Sequence, residues 1–207
     1  MGDIEKPGKL IVISGPSGSG KSAVLAEIRK LNKYKFSVSA ATRAPREGEE
    51  EGVDYYFVSK EDFFKKASNG EMLEYVKYAG NYYGTPKLPV EKMLKESHDV
   101  ILEIEVKGAM SIKEKFPDAV MIFLTCPARA ELEKRLRERG TEDEESIKRR
   151  LEIAEEEVLS IRHYDYLVKN ESGMQKTAAF EIECIVEAEK NKISGENAER
   201  FLKNYFA

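Results

Sequence analysis

The chain has 207 residues, enough for one α/β domain with a sizeable core and a small inserted unit. Hydrophobic residues make up 41% and charged residues 35%, which excludes a disordered chain, and the net charge of -4 argues against a protein built mainly to hold nucleic acid. Cys126 and Cys184 lack CxxC spacing, no apolar run nears the roughly 18 residues of a membrane span, and the charged N-terminus has no apolar signal core, so the expectation is a cytoplasmic protein with no membrane partner.

In chain order, Leu10–Ser14 (LIVIS) is a short apolar, β-branched run that predicts a strand buried on both faces of a parallel sheet. GPSGSGKS follows, then a helix with Val24, Leu25, Ile28 and Leu31 on one face. Tyr55–Val58 predicts a strand, Lys60–Ala67 a short helix, and Met72–Tyr78 a strand that turns at Ala79-Gly80-Asn81 and runs back through Tyr82 and Tyr83. Pro86 to Glu96 predicts a helix. Residues 37–90 therefore look like a strand-rich insert in a frame formed by 1–36 and 91–207.

The frame resumes with a buried-strand pattern at Asp99–Glu105, a helix from Gly108 to Lys115 and a strand at Ala119–Leu124. Helices are predicted at Ala128–Arg139 and Ser146–Ile161, around an acidic turn at Thr141–Glu145. A last strand is predicted at Tyr164–Val168, then helix from Gly173 to Ala207 with a break near Ser194-Gly195. Strands alternating with helices predict a parallel, doubly wound sheet.

Gly15-Pro16-Ser17-Gly18-Ser19-Gly20-Lys21-Ser22 matches GxxxxGK[ST] at every fixed position, between a predicted strand and a predicted helix. The glycines let backbone N–H groups converge on phosphate oxygens, Lys21 supplies a mobile cation, and Ser22 offers a hydroxyl to Mg²⁺. The ATP-phosphate set is Gly15, Ser17, Gly18, Ser19, Gly20, Lys21, Ser22 and the adjoining Ala23.

A second anion site is suggested by TRAPREGEEEGVDYYF (Thr42–Phe57). Arg43 and Arg46 can clamp one phosphate through paired guanidinium donors, with Tyr55 and Tyr83 adding hydroxyls. The alternative is surface pairing of both arginines with Glu47, Glu49, Glu50 and Glu51.

These blocks, with EYVKYAGNYYGTP, ILEIEVKGA and LEKRLRERGTEDEESIKRRL, resemble guanylate kinase from about Leu10 to Asn170. The resemblance implies a P-loop core, a mobile GMP-binding insert at 37–90 and a helical lid at about 135–150. It implies transfer of the γ-phosphoryl of ATP to GMP with Mg²⁺. It assigns Arg43, Arg46, Tyr55 and Tyr83 to the GMP phosphate, and Ser39, Glu74 and Thr85 to guanine. Glu74 suits that role, because a carboxylate accepts guanine's two adjacent donors and meets an unpaired lone pair on adenine. Without the resemblance, Glu74 reads more readily as a surface acid on an edge strand. Arg135, Arg139 and Arg150 fall where the family closes over ATP, although such a charge run also suits a solvated helix face. Lys21, Arg43, Arg139 and Arg150 form the implied catalytic set, and Asn170 matches a position near the adenine.

Glu103 and Glu105 are expected at the end of a buried strand, Glu105 in the GMP site where the family has Asp. Other departures are Lys107 for Gln, Cys126 for Pro, and Ala40 and Ala41 for hydroxyl residues. The acids Glu49, Glu50 and Glu51 are expected to form a solvated turn and not to partner the arginines. Two competing readings are a P-loop kinase for another phosphorylated metabolite and a non-catalytic, phosphopeptide-binding module of the same fold.

Overall fold

The computed structural model describes residues 7–78, 80–138, 143–193 and 195–206. The strand β1 (Leu10–Ser14) leads through the GPSGSGKS loop into α1 (Lys21–Arg29). Next come β2 (Lys35–Phe36), β3 (Ser39–Ala41), β4 (Tyr55–Phe57), α2 (Lys60–Ser68), β5 (Met72–Tyr78), β6 (Asn81–Pro86) and α3 (Lys87–Lys95). The chain continues through β7 (Val100–Glu103), α4 (Val106–Lys115), β8 (Val120–Thr125), α5 (Arg129–Glu138) and α6 (Glu144–Leu159). It ends with β9 (Tyr166–Lys169), α7 (Gln175–Asn191) and α8 (Gly195–Tyr205).

The main sheet has five strands in the order β2-β7-β1-β8-β9, and every pairing is parallel. Its strands alternate between two cores. Ile11 and Ile13 pack with Val24, Leu25 and Ile28 of α1 and with Ile182 and Val186 of α7. Leu10 and Val12 face the other way, onto Val90 of α3 and Ala109 and Ile112 of α4. Helices on both faces explain why LIVIS is apolar without alternation: each residue is buried on one side or the other. Full burial of each such side chain contributes on the order of 1.5–3 kcal/mol. Leu31 departs from expectation. It lies beyond the end of α1 and is 38% exposed, because the helix stops before its apolar stripe reaches it.

The second sheet is four-stranded, in the order β4-β3-β6-β5, and draws all its strands from Ser39 to Pro86. β2 and β3 are too short to leave a period in the sequence, and no strand was predicted for either. The antiparallel pair β5–β6 carries a bulge between Met72 and Glu74. Leu73 anchors β5 in the core beside α4, and Lys115 Nζ of α4 donates to the Leu73 carbonyl at 2.5 Å. The small sheet has its own core of Ala40, Phe63 and Met72, with α2 started by Ser59, whose Oγ accepts the Asp62 N–H at 3.0 Å.

The helices α5 and α6 enclose a further cluster of Cys126, Leu132, Leu136, Ile147, Leu151 and Ala154. The acidic stretch expected as a turn supplies the start of α6: Asp143 Oδ1 accepts the Ser146 N–H at 2.8 Å, and Glu144 and Glu145 occupy the first turn, where the helix dipole favours acids. Thr141 and Arg139 lie outside the described residues, as does Ala79 of the predicted β5–β6 turn. Among the described residues, no helix is long and apolar enough to cross a membrane.

Candidate active site

The loop after β1 reaches α1 through Gly20, which caps the helix with φ 85 and ψ 24. A Cβ at Gly20 would lie 2.3 Å from Asn170 Nδ2, so both conformation and space require glycine. The first N–H groups of α1 are thereby left facing outward, the arrangement that binds phosphate. Lys21 Nζ donates to the carbonyls of Gly15 (2.6 Å) and Pro16 (3.2 Å), so its charge is parked on the loop itself.

The loop is braced from α5 and α6 and from the end of β9. Arg135 donates from Nη1 to the Ser19 carbonyl at 3.2 Å and from Nη2 to the Asn170 carbonyl at 2.8 Å. Arg150 Nη1 donates to Ser17 Oγ at 3.2 Å. Asn170 is 1% exposed, its Nδ2 donates to the Ser19 carbonyl at 2.9 Å, and its Oδ1 is buried without a partner. Arg135, Arg150 and Asn170 thus converge on the loop, whereas Arg137 pairs with Glu133 and Glu144, and Arg149 with Glu145, on the surface.

The second site opens from the same cavity of about 700 Å³, which is lined by Lys21 and Ser22 on one side and by Ser39, Arg43, Arg46, Tyr55, Glu74 and Tyr83 on the other. The rings of Tyr55 and Tyr83 meet edge to face at 6.0 Å, and the Arg43 guanidinium lies 4.9 Å over Tyr55. The expectation that the acids only form a solvated turn is corrected here. Glu49 takes Arg43 in a bidentate pair, Nη1 to Oε2 at 2.5 Å and Nη2 to Oε1 at 2.7 Å, and also accepts the Arg46 backbone N–H at 2.8 Å. The reason is local. The Glu49 N–H closes a turn onto the Arg46 carbonyl at 3.1 Å, and Gly48 at φ 84 permits it, folding Glu49 back onto Arg43. The pair with Arg43 holds the Glu49 carboxyl down to about 2, and Glu49 in turn raises Arg43 above its ordinary value. Glu51 is also engaged, accepting the Phe57 N–H at 2.8 Å. Arg43 Nε is buried without a partner.

Deeper in the cavity, Glu74 stands opposite Thr85 in the β5–β6 register, and Thr85 Oγ1 donates to Glu74 Oε1 at 2.8 Å. Glu74 is 4% exposed and Thr85 0%. Glu74 is therefore no surface acid: burial pushes it up to about 7, against the pull of the Thr85 hydrogen bonds.

At the floor, Ser22 Oγ donates to Glu103 Oε1 at 3.4 Å. The strand β7 ends at Glu103, so Glu105 is not on it: Glu105 caps α4 in extended backbone, and its side chain lines the cavity. Ile104 still packs in the second core with Val100 and Leu102, and α4 begins two residues later at Val106. Ala40 and Ala41 are buried in the small sheet, Ala40 in its core with Phe63 and Met72, and Cys126 packs in the cluster between α5 and α6. Lys107 is exposed. Pairing with Glu49 was one of the alternatives read from the sequence, and which of several acids a turn selects depends on the turn's geometry.

Comparison with known proteins bears on this arrangement. The family profile described as guanylate kinase matches residues 7–189. The chain is 48% identical over 190 residues to a guanylate kinase of Clostridioides difficile, covering 91% of this chain and 92% of that protein. It is 50% identical over 184 residues to a guanylate kinase of Streptococcus pneumoniae, covering 88% of each. Among solved structures, a guanylate kinase from Anaplasma phagocytophilum superposes with a TM-score of 0.73 at 33% identity, covering 90% of this chain and 88% of that one.

Proposed function

Because this chain belongs to the guanylate kinase family, we propose that its two anion sites divide two nucleotides between them, ATP on the loop and GMP on the small sheet. The chain is an ATP:GMP phosphotransferase, moving the γ-phosphoryl group of ATP to GMP to give ADP and GDP. The observation that carries the division is the shared cavity, which has Lys21 and Ser22 on one wall and Arg43, Tyr55, Tyr83 and Glu74 on the other.

In this reading Lys21 leaves the neutral carbonyls of Gly15 and Pro16 for the β- and γ-phosphates, an exchange that costs little because no ion pair is broken. Arg43, Arg46, Tyr55 and Tyr83 seat the GMP phosphate, and the unpartnered Arg43 Nε is a donor still to be used. Glu49 preorganises Arg43 and ties it to the Arg46 turn. Glu74 accepts guanine's ring N–H and exocyclic amine, with Ser39 and Thr85 beside it. The acceptor phosphate is ionised at neutral pH, so the chemistry needs position and charge and no general base. Arg135 and Arg150 hold the loop from the lid, and Arg139 is assigned to the same face from the resemblance alone.

The residues also suit Mg²⁺. Ser22 Oγ and Glu103 Oε1 are hard oxygen donors at the loop, and among the described residues no group of three or more His, Cys, Asp or Glu side chains gathers to hold a metal. We assign the protein contact to Ser22, with nucleotide phosphates and water as the remaining ligands. When bound, the ion offsets charge on the transferring phosphates. A coupled assay with ATP and Mg²⁺ over GMP, AMP, CMP and UMP tests the reading. Turnover with GMP alone is expected, and absence of turnover with GMP overturns it.

A further inference from the structure

Helix α4 carries a glycine in its first turn, Gly108, with helical backbone that any residue adopts. Its conformation does not explain it, since glycine is a poor helix former and alanine the best. Its surroundings do. A Cβ at Gly108 would lie 2.4 Å from Glu74 Oε2, 3.0 Å from Cδ and 3.5 Å from Cγ. Nothing else comes within the three nearest atoms: the space a side chain would fill is taken by one carboxylate from another element, 34 positions earlier in the chain.

Glu74 is confined on both sides. Thr85 Oγ1 holds Oε1 from β6, and the α4 backbone at Gly108 lies against Oε2. Leu73 in the core and the Lys115 hydrogen bond to the Leu73 carbonyl fix the strand to the helix, so the two cannot simply separate. The atoms a Cβ would meet are the far end of the Glu74 side chain, the part that yields most cheaply.

We infer that Gly108 is a specificity-determining position: its missing side chain lets Glu74 direct both carboxylate oxygens at the guanine edge. This rests on the reading of Glu74 as the guanine acceptor. A methyl at Gly108 is accommodated by swinging the carboxylate aside, which spares the fold and spoils the recognition. Gly108 acts through Glu74 and touches no substrate.

The test compares Gly108→Ala with Glu74→Gln, using GMP and IMP, whose base lacks the exocyclic amine. Gly108→Ala is expected to raise KM for GMP and to shrink the preference for GMP over IMP, each by about tenfold, since the site loses a hydrogen-bonded acceptor. KM for ATP stays within about twofold, and the thermal midpoint does not fall, because alanine favours helix. A second pair guards against a purely structural effect. Aspartate is one methylene shorter and clears the added Cβ, so Glu74→Asp impairs GMP use in the parent but improves it in the Gly108→Ala background. If Gly108→Ala keeps both GMP values while Glu74→Gln loses them, the inference about Gly108 is overturned and the Glu74 reading stands. If Glu74→Gln itself keeps the preference, the Glu74 reading fails and this inference falls with it.

Discussion

The cradle at Gly15–Ser22 is made of eight consecutive residues, and its donors are mostly backbone. The opposite cavity wall, to which we assign the GMP phosphate, draws Arg43, Tyr55 and Tyr83 from the β3–β4 loop, β4 and β6, and its polar groups are side chains. In both, the key cation is already occupied. Lys21 sits on two neutral carbonyls, whereas Arg43 sits on the Glu49 carboxylate. A mobile cation that follows a moving phosphoryl group needs partners it can leave. A fork that must orient an acceptor benefits from being held. The difference matches a donor site that works during transfer and an acceptor site that works before it.

The largest effect expected from breaking this contrast is at Lys21. Lys21→Ala is predicted to cut turnover by about 10³ or more, the scale of a lost cation on the transferring phosphoryl. GMP binding measured by calorimetry should change little. A matching loss of GMP affinity would mean that the two sites are not separate. Next is Arg43→Ala, predicted to weaken GMP by about 10² while ATP affinity holds, as suits a lost charge-assisted contact. Equal weakening of ATP would place Arg43 on the wrong nucleotide.

Glu49→Ala sharpens the comparison further. If Glu49 holds Arg43 ready, its removal raises KM for GMP by about tenfold through lost preorganisation. A lower KM would instead make Glu49 a competitor that the phosphate must displace. The pH dependence of GMP affinity is expected to be of similar size. Glu74 titrates near about 7 in the empty site and must be ionised to accept two donors, so affinity falls as pH drops below that value. The slope approaches tenfold per unit at most, and the GMP phosphate, with its own ionisation near about 6, adds to it at lower pH. Calorimetry with Glu74→Gln should retain only the phosphate's share; an unchanged slope would clear Glu74 of the effect. The smallest expected effect is on stability. Ser59→Ala removes the cap of α2 and should cost about 1 kcal/mol on thermal unfolding, leaving ATP affinity untouched.

The frame of the fold was legible because each element carries its own signal. Leu10–Ile13 is an unbroken apolar run, and β1 spans the predicted Leu10–Ser14. β5 likewise spans the predicted Met72–Tyr78. The short β3, which starts at Ser39, carries no period, and only its partners β4 and β6 make it a strand. Glu105 was placed on β7, but the strand ends at Glu103 and Glu105 caps α4 instead.

The sequence by itself determined the phosphate cradle, because eight contiguous residues contain both the conformational freedom and the charge the task needs. It also determined the alternation that yields a parallel sheet, because burial on two faces demands runs of apolar residues. The folded structure decided which acid Arg43 takes, through the local Arg46–Glu49 turn, and it set the Glu74 carboxylate against Gly108 across two elements. Both are contacts of excluded volume and fixed direction, the first set by a glycine turn and the second by a strand lying on a helix. The Glu74–Gly108 contact leaves no pattern along the chain, because its partners meet only where the small sheet packs on α4.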